Sequence, residues 1–541
     1  MLTINEKRNV YEALTRRNYF PNQKESFSEL PPCIDTRQFT PEVCEAISKL
    51  ALQDARDIHG FDLVEYKATR YNNVPRSLAL LHPRAYANLA KLIHDQWDEL
   101  QHLMSGKNSA IKPTLRQDGR ILVMNYDDPL DKRRRFISSS FSKRFKVTAD
   151  ISNCFNSVYT HSIPWAAIGF DEAKTELLEK VSSARKRNNK KWYNKLDKYQ
   201  RMCKRNETLG VPIGPATSSI VVELILQKID KKLDEFSFQF ERYIDDYVCY
   251  CDTSEQAQLF TLELGKLLSK YKLDLNLSKT NIVELPEPTD DLWVMELNSS
   301  LPSYKDEDGT YSSSDMISYL NKAVLLNRST PDGSVLKYAI RSIMLRLSTN
   351  AELDTLDYIL NLSWHYPILI PYAGVLISQS EAPEHLYLDK LNAIILENAK
   401  QLRSDGMAWP LHIIKENGCE LSNEVMEAVI TSRDCVSMTI LHSILETDRK
   451  APLKKFAEEI VLGGNYEKDA YWLLLYQMYL AGDLREDPYD DKVFPKLKQF
   501  RVNFLPGEGT SRAEDKCEEI RIEFIGKMFR ETVPSLAPIL R

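Results

Sequence analysis

Staples and metal-ligand patterns are scarce in this chain. Nine cysteines are scattered over 541 residues, and no C-x-x-C pair occurs. The nearest approach, Cys249-x-Cys251, puts both side chains on one face of a strand, which reads as buried thiols rather than zinc ligands. A disulfide framework is excluded, and a reducing cytoplasmic setting fits. The nine histidines show no metal-ligand spacing. No apolar run reaches the roughly 20 residues that span a bilayer; the longest, around 366–378, is broken by Pro367 and Pro371. Met1–Arg8 lacks an apolar stretch of the signal-peptide kind, so none is expected. Neither sign of charge dominates: the net charge of -6 hides local patches. Hydrophobic content of 43% and charged content of 27% are those of an ordinary globular chain, long enough for two or three domains.

Against that background, local patterns stand out. Residues 61–80 alternate weakly and read as strand, with Arg70 and Arg76 inside them. Pro83–Ser105 reads as a helix with Tyr86, Leu89, Leu92, Ile93 and Trp97 on one face. Lys132-Arg133-Arg134-Arg135-Phe136, followed by Phe141 to Lys146, interleaves cations with rings, which suits phosphate backbone and stacked bases. Phe145–Asp150 alternates as a strand with Asp150 near its C-terminal end, and Phe155 follows five residues later. Between Lys180 and Arg205 lie eleven basic residues and one acid, Asp197. A solvated helix would mix signs, so Arg185, Lys186, Arg187, Lys190 and Lys191 point to a polyanion. The Gly210–Ser219 stretch, with Pro212 and Gly214, is a turn of small residues that lets another backbone or a base pair approach. It feeds an apolar helix, Ile220–Leu233.

Phe236, Phe238 and Phe240 then alternate with polar residues, and Tyr247–Cys251 is again β-prone. The expected geometry is a hairpin with Asp245 and Asp246 at or beside its turn. Two adjacent carboxylates repel unless a cation lies between or beyond them, and a hard dication such as Mg²⁺ takes carboxylate oxygens. An amphipathic helix, Ser254–Tyr271, precedes Leu275-Asn276-Leu277-Ser278-Lys279-Thr280. Residues 286–309 read as a linker. Beyond about 313 the pattern turns to helix after helix, including Met316–Leu326, Val335–Leu347, Leu353–Leu362, Leu386–Ala399, Val425–Thr431, Ser437–Leu445, Leu453–Val461, Ala470–Leu480 and Cys517–Phe529. That region is compatible with an irregular α-solenoid. It holds no strand-rich block with clustered acids, so a ribonuclease-H-like appendage is not expected.

The order of these pieces resembles the palm of a reverse transcriptase. Asp150 to Phe155 is similar to the family's first metal-binding motif, Gly210–Ser218 to its template-side motif, Tyr243-Ile244-Asp245-Asp246 to its Tyr-x-Asp-Asp box, and Leu275–Thr280 to its lysine-bearing motif. Ser157–Ala166, Arg17–Pro21 with Leu30-Pro31-Pro32, and Pro75-Arg76-Ser77-Leu78 resemble the bacterial abortive-infection (Abi-type), defence-associated reverse transcriptases. One departure stands out: Ile213 occupies the place where intron and retroviral enzymes carry Gln, which puts ordinary templated copying in doubt.

The resemblance implies an α+β fold, with right-hand polymerase fingers and palm over 1–310 and an all-helical domain over 311–541. It implies a DNA polymerase using two Mg²⁺ ions, with Mn²⁺ as an alternative, about 4 Å apart. Asp150, Asp245 and the Ile151 carbonyl would hold the ions, with Asp246 as third carboxylate. Phe155 would stack under the sugar and favour dNTP. Lys279 would neutralise or protonate the leaving pyrophosphate, and Arg76 would hold the triphosphate. Pro212 and Gly214 would lie against the nucleotide, and the two basic stretches would track nucleic acid. The family further implies priming from a protein hydroxyl, single-stranded DNA product that can stay attached, a partner noncoding RNA in some members, trimers or hexamers, and a bacterial cytoplasm without membrane attachment. A template-copying enzyme of retron or maturase type and a non-catalytic nucleic-acid scaffold are the competing readings.

Overall fold

The computed structural model describes residues 4–506 except 22–28, 52–53, 71–73, 123–128, 179–190, 303–309, 332–333 and 490. Two sheets lie in the N-terminal part. Strands β1 (Leu63–Thr69) and β2 (Pro75–Leu81) form an antiparallel hairpin. Strands β3 (Phe145–Asp150), β4 (Gln239–Tyr243), β5 (Asp246–Cys251) and β6 (Asn281–Glu284) form a second sheet in the order β4-β5-β3-β6. Each strand of that sheet pairs antiparallel with its neighbours. Helices Ala216–Asp234 and Ser254–Lys270 pack around the sheet, and the first buries most of its length. The helix expected over Pro83–Ser105 holds only to Asp95, then breaks at Gln96 into two short turns.

The expected linker at 286–309 is not featureless. Helix Leu292–Ser299 forms inside it and buries Leu297. The polar residues on either side mask a short apolar run, Leu292 to Leu297, that docks the helix, with Trp293 edge-on to Tyr338 at 5.6 Å. The helical run from Ser313 onward is as expected, with additions. Ile370–Ser380 is a helix because Pro371 falls in its first turn, where a missing N–H costs nothing. Ser404–Glu416 continues through Pro410; burial of Met407, Trp409 and Leu411 outweighs one lost hydrogen bond. The expected helix at 517–529 lies outside the described residues.

The helical region does not hang free. Its side chains bond the outer edge of β1 and the residue before it: Asp469 accepts from Asp62 N–H, Ser404 from Lys67 N–H and Asp405 from Thr69 N–H, each at 2.8–2.9 Å. Trp472 donates to the Leu80 carbonyl of β2 at 3.1 Å. Arg56 and Asp469 form a buried two-point ion pair at 2.6 and 2.9 Å. Phe504 joins Tyr19, Phe20, Phe39, Trp472 and Tyr476 in one aromatic cluster, so the last described residues close on the first.

Candidate active site

Strand pairing assembles the carboxylates. Asp150, the last residue of β3, lies directly opposite Asp246, the first residue of β5. Tyr243 pairs with Asp246, so Ile244 and Asp245 form a two-residue hairpin turn. That places Asp245 in the turn and Asp246 beside it. Ile244 has φ +60, a left-handed value that is unusual for a β-branched residue. The turn is tied back to β3, where Ile151 N–H donates to the Asp245 carbonyl at 3.3 Å.

The third element is the loop after Ser254–Lys270. Ser152 N–H donates to Asp274, and Asn276 N–H donates to the Asp150 carbonyl, both at 2.8 Å. Asn276 Nδ2 also donates to Asp150 Oδ2 at 2.9 Å, and Lys279 Nζ lies 3.2 Å from the same oxygen. Lys279 is therefore at the site, though bound to Asp150. As the side chains stand, no three acidic, His or Cys groups among the described residues close around one point.

Electrostatics nevertheless favour a cation. Burial raises the Asp245 carboxyl, and the Asp150 charge raises it further, against Arg76 and Lys279. Asp246 is pushed up to about 6, first by desolvation and then by Asp245 and Asp150. A set of oxygen donors whose mutual repulsion Lys279 and Arg76 offset only in part fits a hard divalent ion. The residues that would hold it are Asp150, Asp245 and Asp246, with the carbonyl of Ile151 next in the chain.

The other expected residues divide. Arg76, on β2, is half-buried and its charge reaches Asp245. Phe155 is 7% exposed, and its carbonyl accepts from Val211 N–H at 2.8 Å, which joins the first motif to the Gly/Pro loop. Pro212 is buried there. Gly214 has φ +126, and a Cβ on it would stand 2.5 Å from Pro21 Cγ. The Asn18 carbonyl accepts from Ala216 N–H at 3.0 Å, so the N-terminal motif buttresses this loop. Ile213 packs its side chain against the core, and its carbonyl accepts from Ala79 N–H at 2.9 Å.

The basic stretches are less free than composition implies. Helix Pro129–Ser140 carries Lys132–Arg135, but Arg133 pairs with Asp290, Arg134 with Asp131 and Arg135 with Glu241. Lys191 is bound by Glu176. Arg185, Lys186, Arg187 and Lys190 lie outside the described residues. A cavity of about 490 Å³ opens elsewhere, between β1 and the helical region, and none of the three carboxylates lines it.

The family comparison agrees with this geometry. Residues 85–320 match the family described as reverse transcriptase (RNA-dependent DNA polymerase). The chain carries a reverse transcriptase domain. It is a nucleotidyltransferase of the reverse transcriptase kind, and such domains generally use divalent metal ions. No curated protein matches the sequence. Among solved structures, apo telomerase from Candida tropicalis is 11% identical, with 70% of this chain and 67% of that one covered and a TM-score of 0.30. Telomerase from Candida albicans in complex with a TWJ fragment of telomeric RNA is 14% identical, with 66% of each chain covered and a TM-score of 0.27.

Sequence reasoning missed two features of this domain. Asn276 sits inside a motif that was read for its lysine. Glu223, Gln227 and Asp230 lie on a helix read as apolar, yet recur at i, i+4 and i+7, one polar stripe down its buried face.

Proposed function

We propose that this protein is a metal-dependent DNA polymerase of bacterial antiphage defence, of the abortive-infection type, which extends a protein hydroxyl with dNTPs. The observation that carries the catalytic part is the register that sets Asp150 opposite Asp246 with Asp245 in the adjoining turn. When bound, two Mg²⁺ ions (or Mn²⁺) supply charge neutralisation to the reacting phosphate and hydroxyl oxygens. Asp150 and Asp245 would hold the pair, with Asp246 as the supporting carboxylate. Phe155 forms the floor under the sugar and favours dNTP over NTP. Lys279 leaves Asp150 to neutralise the departing pyrophosphate, and Arg76 holds the triphosphate, aided by Pro212 and Gly214 against the base.

The defence reading rests on the abortive-infection-like stretches, Ser157–Ala166 and Arg17–Pro21, and on the helical region. The packed Ile213 side chain presents no donor for a template, which supports untemplated synthesis or guidance by a noncoding RNA. We assign catalysis to 1–310 and assembly into a trimer or hexamer to the helices of 311–541. Residues 180–205 and Lys132 would track single-stranded DNA. The eight described cysteines are all free and buried, which suits the cytoplasm. Among the described residues no helix is long and apolar enough to cross a membrane.

The test is incubation of the purified protein, with any copurifying RNA, in Mg²⁺ and each dNTP or NTP, followed by denaturing gels before and after protease. The expected result is dNTP label that migrates with the protein until protease is added. Free product of template sequence would move the assignment to a retron- or maturase-type copier. No incorporation under any of these conditions would leave a non-catalytic scaffold.

A further inference from the structure

The strongest unexplained feature is a fully buried cation behind the catalytic turn. Arg242, in β4, is 0% exposed. Its guanidinium has five N–H donors, and all of them are used. Nε donates to Asp230 Oδ2 at 3.0 Å and Nη2 to the same oxygen at 2.7 Å. Nη1 and Nη2 donate to Glu223 Oε2 and Oε1 at 3.0 and 3.1 Å. The remaining donor, on Nη1, reaches the Ile244 carbonyl at 2.8 Å. Both carboxylates come from helix Ala216–Asp234. Tyr247 donates to Asp230 at 3.0 Å and Gln227 to Glu223 at 2.8 Å, so the acids are themselves oriented.

This cluster is more than a core ion pair. Two acids and one Arg leave an excess negative charge in the interior, an expensive arrangement that apolar residues could replace. Among the described residues, the one bond of the guanidinium to a group other than these carboxylates is that to the Ile244 carbonyl. Ile244 needs help, because φ +60 costs a β-branched residue about 1–2 kcal/mol. The residue after it is Asp245. We infer that Arg242 is the positioning residue of the catalytic turn: braced by Glu223 and Asp230, it holds the Ile244 carbonyl and so keeps the left-handed backbone that aims Asp245 and Asp246 at Asp150. Helix Ala216–Asp234 begins at the Gly/Pro loop, so the same helix that carries this loop also sets the carboxylates. The inference rests on the nucleotidyl-transfer reading of the site, but its test does not depend on activity alone.

The test compares the full-length chain with a neutral triple variant, Arg242→Met with Glu223→Gln and Asp230→Asn, and with the same variant carrying Ile244→Gly. Mn²⁺ binding is read by EPR, kcat and KM by dNTP incorporation, and folding by thermal melting. The expected triple variant melts cooperatively, binds Mn²⁺ about 10-fold more weakly, and loses about 100-fold in kcat with little change in KM. Ile244→Gly restores about 10-fold of the kcat, because glycine adopts the left-handed conformation unaided. A merely structural role for Arg242 predicts no such rescue. Should the triple variant fail to melt cooperatively, Arg242→Lys, which keeps the charge but not the fork, is read in the same way. Wild-type kcat and Mn²⁺ affinity in a folded variant, or a loss that Ile244→Gly leaves untouched, would overturn the inference. If the unaltered protein incorporates no nucleotide, the polymerase reading falls, while the Mn²⁺ titration still decides the role of Arg242.

Discussion

At the residue scale, the site trades stability for charge. Asp245 and Asp246 are both held above the ordinary carboxylate range by burial and by each other or Asp150. Replacing both with Asn removes that repulsion along with the negative charge proposed to hold the ions. The expected outcome is a loss of incorporation of at least about 1,000-fold, with a melting temperature in EDTA equal to or above that of the unaltered protein. Calorimetry beside the gel assay checks it, and a large fall in melting temperature would contradict the electrostatic account. Gly214 is the second residue-scale case. A methyl group there meets Pro21 and an unfavourable φ of +126. Gly214→Ala should cost about 1–3 kcal/mol, read by urea unfolding, and should depress dNTP incorporation if the loop lies against the nucleotide as proposed. Both the carboxylates and the glycine stood out in the sequence as motif residues. Pro21 as the partner of Gly214 did not, since nearly two hundred residues of chain separate them.

At the element scale, β1 is an edge strand whose Lys67 and Thr69 N–H groups are capped by side chains of the helical region. Asp405 is central: it accepts from Thr69 N–H at 2.8 Å and from the Thr69 hydroxyl at 2.6 Å. Burial nevertheless pushes its carboxyl up to about 6. A carboxyl raised above its unfolded value near 3.9 contributes stability that is fully present below that value. The contribution is lost as pH rises through the folded value. Unfolding free energies of the unaltered protein and Asp405→Asn, compared from pH 4 to pH 7, should therefore converge or cross. The advantage of the aspartate should shrink by about 2–3 kcal/mol over that window. A difference independent of pH would rule this out. Strand character over 61–80 was legible from alternation, though not its division into the paired strands β1 and β2, and the turn carrying Asp245 was legible too. The helix Leu292–Ser299 was not, because its short apolar run is flanked on both sides by Pro, acidic and Ser residues that give the whole stretch the composition of a linker.

At the scale of the whole molecule, the helical region is bolted to the first sheet and to the N-terminal segment, not only to the strands that precede it in sequence. The Arg56–Asp469 pair is the deepest of these ties. Asp469 also accepts from Asp62 N–H and from the Tyr489 hydroxyl at 3.0 Å. Asp469→Ala would leave a buried guanidinium unpaired and should destabilise the protein by about 3–5 kcal/mol, measured by chemical unfolding. A change below about 1 kcal/mol would show that the interface tolerates an open charge. For the same reason a fragment ending at residue 310 should fail to give a cooperative melt, because β1 loses its caps and Phe20 and Leu80 lose Trp472.

The sequence by itself determined the chemistry and its order along the chain. Strand alternation, the adjacent aspartates and the Gly/Pro loop are local patterns, and local patterns survive being read one stretch at a time. Tertiary structure alone decided how those parts are held. It set Asp150 opposite Asp246, turned Asn276 and Lys279 onto Asp150, tied up the arginines of 133–135 in ion pairs, and aimed Arg242 at the carbonyl of Ile244. Each of these depends on strand register or on the approach of segments far apart in the chain. Such approaches are fixed by the shared burial of apolar surface over the whole fold, which no single stretch of residues carries.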